Sequence, residues 1–329
     1  MNVMKNSSAQ KKIKFYSLLY VQQGSNNLAE NFGASSSKPP KIKDLELYTK
    51  SCSNLMTSLK FHGFDYFVLT NQPELLKKIQ PELNVMSIDF SLNVPEKISF
   101  YGAHFKIDTF KWFAAQKNDY SILIDIDEIC INKMPENMHM AIKNNLPLFY
   151  DLTDQMYPDV GRERLINDLQ LFCKEADLGI WAGGEFIGGD SAFFDKLYKK
   201  ISKISGKYFD VQKQLFHKGD ESLTTAALQS LLKEGTSIIN AGAFGAVCRF
   251  WSCGTKHCQR LFPSIKDCFL LHLPADKQFL AETPYDSDFL KKYEKYLKNE
   301  KAINTNVVFP RLFWKRVKNK LLRLAKLKR

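Results

Sequence analysis

The sequence predicts an α/β protein built on a mostly parallel central sheet with helices on both faces. Three observations predict it. Apolar runs of strand length alternate with segments of helical spacing every few tens of residues. Tyr120–Ile126 is a near-continuous apolar run, the mark of a strand covered on both faces. The composition, 44% hydrophobic and 25% charged over 329 residues, is that of a globular chain with a sizeable core and no need of disulfides.

The elements follow in order. Ile13–Val21 is compact and aromatic and reads as the first buried strand. Gln22–Pro40, rich in Gly, Ser, Asn and Pro, reads as a loop. Asp44–His62 spaces Leu45, Leu47, Tyr48, Cys52, Leu55 and Leu59 as a helix does. Tyr66–Thr70 is a strand that ends at Asn71-Gln72-Pro73. Glu74–Ile79 is a short helix and Asn84–Phe90 a third strand. Phe105–Gln116 is helical, with Phe105, Thr109, Trp112 and Phe113 on one side. Tyr120–Ile126 is the central strand.

Charge is unevenly placed. Lys and Arg number 47 against 35 Asp and Glu, a net +12. Residues 311–329 hold nine basic residues and no acid, and residues 1–14 hold four more without an acid. The body between is near neutral, which disfavours a nucleic-acid-binding face. No apolar run is long enough to cross a bilayer. The N-terminal apolar run is broken by Tyr and Ser, and Gln22 and Gln23 stand where small cleavage-site residues belong. A cytoplasmic protein is expected. Seven cysteines in no paired pattern suit a reducing compartment. Cys248, Cys253, His257 and Cys258 cluster, but without a CxxC pair they read as free thiols rather than a zinc knuckle.

The strongest motif is Ser121-Ile122-Leu123-Ile124-Asp125-Ile126-Asp127-Glu128. On an extended chain, Asp125 and Asp127 point to one side. The carboxyl end of a buried parallel strand is where α/β sheets bind ligands. Two carboxylates held together are costly unless a cation joins them, and Mn²⁺ or Mg²⁺ takes oxygen ligands and bridges phosphates.

With this motif the chain resembles the nucleotide-sugar-dependent glycosyltransferases of the GT-A fold, a Rossmann-like sheet with a nucleotide-binding half and an acceptor-binding half. Four further stretches, in the family's order, carry the resemblance: Lys106 in His104-Phe105-Lys106-Ile107, the small-residue run Trp181–Asp190, the acidic His217-Lys218-Gly219-Asp220-Glu221-Ser222, and Leu271-His272-Leu273-Pro274-Ala275-Asp276-Lys277. The resemblance implies a metal held by Asp125, Asp127 and His272. It implies nucleotide-sugar contacts at Tyr20, Asn71, Lys106, Asp125, Gly183, Gly184 and Lys277, where the glycines would let a ligand approach the backbone. It implies catalysis by Glu221, or by its neighbour Asp220. The expected cofactors are Mn²⁺, or Mg²⁺, and a UDP-sugar. The expected acceptor is a glycan or glycolipid in bacterial surface polysaccharide synthesis, of lipopolysaccharide or capsule type, with retention at the sugar carbon. The halves would be 13–130 and 131–290, between a basic extension at 1–12 and a tail at 291–329. One departure stands out: Pro274 lies between His272 and Lys277, where retaining relatives carry a Gly and one residue more.

Phe309–Arg329 reads as a basic amphipathic helix with a stripe of Phe313, Val317, Leu321 and Leu324. Such a helix suits an anionic membrane surface and would hold the enzyme peripherally on the inner face of the cell membrane. Two other classes fit parts of the sequence. Haloacid-dehalogenase-type phosphatases also open with a strand and DxD, but on their first strand and with Thr or Val where Ile129 stands. A non-catalytic membrane adaptor on a transferase fold would have no use for the intact Asp125/Asp127 pair.

Overall fold

The computed structural model describes residues 11–21, 42–96, 98–117 and 119–299. The expected loop at Gln22–Pro40 and the basic helix at Phe309–Arg329 lie outside the described residues. In chain order the elements are β1 (Lys12–Leu18), α1 (Ile42–Phe61), β2 (Asp65–Thr70), α2 (Pro73–Ile79), β3 (Val85–Ser87), α3 (Lys106–Ala114), β4 (Asp119–Ile124) and β5 (Glu128–Cys130). There follow α4 (Glu136–Lys143), β6 (Leu148–Asp151), α5 (Gly161–Gln170), β7 (Ala182–Asp190), α6 (Ser191–Val211) and α7 (Asp220–Lys233). The last are β8 (Ile239–Asn240), β9 (Val247–Arg249), β10 (Leu270–His272), α8 (Lys277–Glu282) and α9 (Phe289–Asn299).

The central sheet has seven strands in the order β3-β2-β1-β4-β7-β6-β8. Its pairings are parallel except those of β7, which runs antiparallel between β4 and β6. This is the mostly parallel α/β sheet that the alternation of runs predicts. Both faces are covered, as neighbouring residues of β1 demonstrate. Phe15 packs against Phe64 and Phe269 at 5.3 and 5.9 Å, while Tyr16 packs against Trp112 and Phe113 of α3 at 5.5 and 5.0 Å. Successive side chains of a strand alternate faces, so these two contacts lie on opposite sides. On the α3 side, Phe194 of α6 seats on Phe113 at 4.8 Å. On the other side, α1 turns Leu45, Cys52, Leu55 and Leu59 inward.

A second, three-stranded sheet, β5-β10-β9, carries its own core of Ile129, Phe250, Phe262, Leu271, Phe289 and Tyr293. It joins Glu128–Cys130 to Leu270–His272 in antiparallel register. The two carboxylates of the motif and His272 therefore stand at one seam.

Several element boundaries differ from the sequence reading, among them the first strand, which ends at Leu18 rather than Val21, and two have their reason in a single side chain. The central strand stops at Ile124, because the Glu128 side chain folds back and accepts the Asp125 N–H at 2.8 Å, closing a turn. The third strand shrinks to Val85–Ser87, because the Asp108 carboxylate takes the N–H groups of Ser91 and Leu92 at 3.1 Å and draws the chain off the sheet. The helix at Phe105–Gln116 is a 3₁₀ turn over Tyr101–Phe105 followed by α3.

The α8 arm is fastened to α1 chiefly by Asn54, with Ser51 Oγ also donating to Lys277 O at 3.5 Å. Asn54 donates to Leu280 O and Thr283 O at 2.8 and 2.7 Å and accepts from Tyr285 N at 2.6 Å. Asn54→Ala leaves buried backbone groups without partners and is expected to cost roughly 2–3 kcal/mol. A denaturant melt checks this; an unmoved midpoint rejects the clamp.

Candidate active site

A cleft of about 800 Å³ opens beyond the carboxyl end of β4. Asp125, Asp127, Lys106, Asp220, Glu221, His272 and Lys277 all line it. The strand does not extend to Asp127, yet the turn still delivers both carboxylates to one place. Ligand atoms of Asp125, Asp127 and His272 lie within 4.8 Å of one another. His272 Nε2 stands 3.2 Å from Asp127 Oδ1 and 3.9 Å from Asp125 Oδ2.

A divalent cation fits these residues. Asp127 Oδ1 is buried without a hydrogen bond of proper geometry, an acceptor turned toward the centre of the triad. Two carboxylate oxygens and one imidazole nitrogen form a donor set suited to Mn²⁺ or Mg²⁺. The opposite ring nitrogen of His272, Nδ1, faces Glu185 Oε1 at 3.4 Å. With a proton held on that side, Nε2 is the nitrogen that would turn to a cation once its own proton is displaced, the arrangement usual behind a ligating histidine.

The carboxylates carry their own countercharges. Lys106 donates to Asp125 Oδ1 at 2.7 Å and to Gly184 O at 2.8 Å, and reaches Asp220 at 3.5 Å. Lys277 pairs with Asp127 and donates to Pro274 O at 2.8 Å. Burial opposes ionisation of Asp127, but Lys277 and His272 outweigh it and hold that carboxyl below its ordinary range. Asp125 moves the other way: burial, aided by the charge of Asp127, raises it despite Lys106 and His272. For His272, burial is outweighed by Asp127 and Glu185, which push it up to about 10.

Glu221 opens α7 and accepts from Gly184 N at 3.1 Å, with Arg249 at 3.6 Å. Burial, with Glu185 and Asp220 nearby, outweighs Arg249 and pushes Glu221 up to about 7. The glycines serve the protein's own packing. A Cβ on Gly183 would stand 2.2 Å from Glu185 Oε2, and one on Gly184 would meet Asp220 and Glu221 at 3.0–3.3 Å. Tyr20 and Asn71 are not among the residues lining the cleft. Tyr20 stacks on Phe105 at 4.2 Å, and Asn71 clasps the N–H and C=O of Val21 at 2.9 and 2.7 Å.

Sequence reasoning misses three residues that hold the site. Glu185 and Arg249 form a bidentate buried pair at 2.6 Å through both contacts. Asp168 accepts from Phe216 N, His217 N and Arg164 Nε at 2.8–3.0 Å, fixing the segment that leads into α7. None carries a motif; only their burial as charged residues marks them. Of the cluster of Cys248, Cys253, His257 and Cys258, Cys248 is buried, Cys253 and Cys258 are exposed, and His257 stacks on Trp251.

No family model matches the chain, and no curated protein matches it. Among solved structures it is similar to a galactosyltransferase, LgtC, crystallised with donor and acceptor sugar analogues. The identity is 12% and the TM-score 0.45, over 85% of this chain and 99% of that one. No helix among the described residues is long and apolar enough to cross a membrane.

Glu185→Ala strands the Arg249 guanidinium in the interior and is expected to cost about 3–5 kcal/mol. Replacing both by apolar residues of similar volume restores most of the loss. Chemical denaturation of the single and double variants checks both statements.

Proposed function

We propose that the protein is a metal-dependent GT-A glycosyltransferase that moves a hexose-type sugar from a UDP-sugar to a glycan or glycolipid acceptor, with retention. The carrying observation is the convergence of Asp125, Asp127 and His272 in a large cleft, with Lys106 and Lys277 against the same carboxylates. Asp125, Asp127 and His272 would hold the cation, which would supply Lewis-acid neutralisation of the diphosphate. The protein's own groups do the rest. Lys106 and Lys277 bring two positive charges to where the leaving diphosphate gains charge. Glu185 and Arg249 hold His272 and Glu221 in place from behind. Glu221, anchored on Gly184 N, is the carboxylate that faces the sugar or takes the acceptor proton. Asp220 steadies Lys106 from the same helix end.

The phosphatase and adaptor readings separate from this one in a single assay. Metal-dependent UDP release from a UDP-sugar supports the transferase, phosphate release from monoesters the phosphatase, and neither the adaptor. Asp125→Asn or Asp127→Asn is expected to lower transfer at least about a hundredfold and to abolish the thermal shift given by Mn²⁺, with the circular dichroism spectrum unchanged. Full activity in either variant rejects the metal site.

Glu221 is protonated below about 7 and ionised above it. A role as base or nucleophile needs the ionised form, so turnover is expected to rise with pH through that value. Glu221→Gln removes that limb of the profile.

The sequence of residues 309–329 supports attachment to an anionic membrane on its cytoplasmic side, each Lys or Arg near the surface adding about 1 kcal/mol. Removing residues 311–329 is expected to lower co-sedimentation with anionic vesicles and to leave turnover on soluble acceptors. Unchanged sedimentation rejects the anchor.

A further inference from the structure

Beside the cleft lies a second cavity of about 560 Å³, within the range of small-ligand sites. The two share a wall: Met156 and Tyr157 line both. That wall follows the 3₁₀ turn Thr153–Gln155.

We infer that this cavity is an extension subsite for a neutral oligosaccharide, holding acceptor sugars beyond the one that reacts; this rests on the transferase reading. Its chemistry is that of a sugar site. Tyr157, partly exposed on the shared wall, supplies aromatic surface for the C–H face of a pyranose ring, and the buried Tyr150 forms the floor beneath it. The Tyr150 ring lies so close to Gly242 that a Cβ there would stand 2.5 Å from it, so the glycine keeps the ring in place.

Polar groups in fixed positions surround these rings. Asp151 Oδ1 is held by Thr153 N and Oγ1 at 2.9 and 2.5 Å. Asn240 Oδ1 accepts from Asp151 N at 3.2 Å and Gly242 N at 2.9 Å. That fixes the amide plane and leaves its NH₂ for a ligand oxygen. Arg162 spends Nε on Gly179 O at 2.8 Å, and its planar fork suits paired hydroxyls. Asp154 and Arg260 pair at 3.3 Å across the rim. Two acids and two guanidiniums balance, so nothing in the lining selects a charged ligand.

The test uses the full-length protein on an array of neutral glycans, followed by a length series of one to five sugars of the best binder, measured by calorimetry. Affinity is expected to rise about tenfold or more between one and three sugars. Ala243→Trp fills the cavity from an exposed position, and it is expected to remove that gain while melting at the wild-type temperature. Arg162→Ala is expected to reduce the gain. Acidic oligosaccharides of equal length are expected to show no larger gain. Affinity that does not rise with length, or that rises equally in Ala243→Trp, overturns the subsite. Mn²⁺-dependent UDP release without acceptor, measured on the same samples, reports on the transferase reading independently. Its absence beside an intact length effect removes that reading and leaves a glycan-binding cavity.

Discussion

Glu185 on β7 and Arg249 on β9 meet in a buried, two-pronged ion pair, and the groups around the cleft take their positions from it. Burying two charges costs several kcal/mol per ion, which only good geometry and further partners offset. Both are present. Glu185 also faces His272 Nδ1, and Arg249 also reaches Glu221. One pair thus touches the histidine of the proposed metal triad on one side and Glu221, the proposed catalytic carboxylate, on the other. It also ties the large sheet to the small one, so the distance between those two functions is set by a rigid, low-dielectric contact rather than by loops.

The same logic extends outward. Asp125 has Lys106, Asp127 has Lys277, and Asp168 has Arg164 and His217. A cleft so rich in carboxylates would repel itself if left uncompensated. The lysines hold it together in the protein alone, and on the proposed transferase reading each stands where a diphosphate would need positive charge.

Much of this was legible in the sequence. The apolar run into Asp125 and Asp127 gave the central strand, its carboxyl end and the shared side of the two acids. Their convergence holds although the chain turns at Asp125, because Glu128 closes a turn that keeps both carboxylates at the cleft. Glu185 and Arg249 were illegible, since their meeting depends on the antiparallel register of β7 and on the pairing of β9 with β10. Gly183 and Gly184 were visible as a small-residue stretch, but the space they leave is taken by Glu185, Asp220 and Glu221. The Asn71 amide, at the strand end where a nucleotide contact was expected, closes instead on the backbone of Val21.

The seam between β5 and β10 has a consequence for synthesis. Asp127 and Lys277 are 150 residues apart, and Asn54 and its carbonyl partner on Leu280 are 226 apart. Contacts this distant are the last to form and slow folding. On the ribosome, the first strands can pair long before His272 and Lys277 emerge. During that interval Asp125 and Asp127 have only Lys106 for company, and the edge of β5 is open. The nascent chain is most exposed to misassembly there.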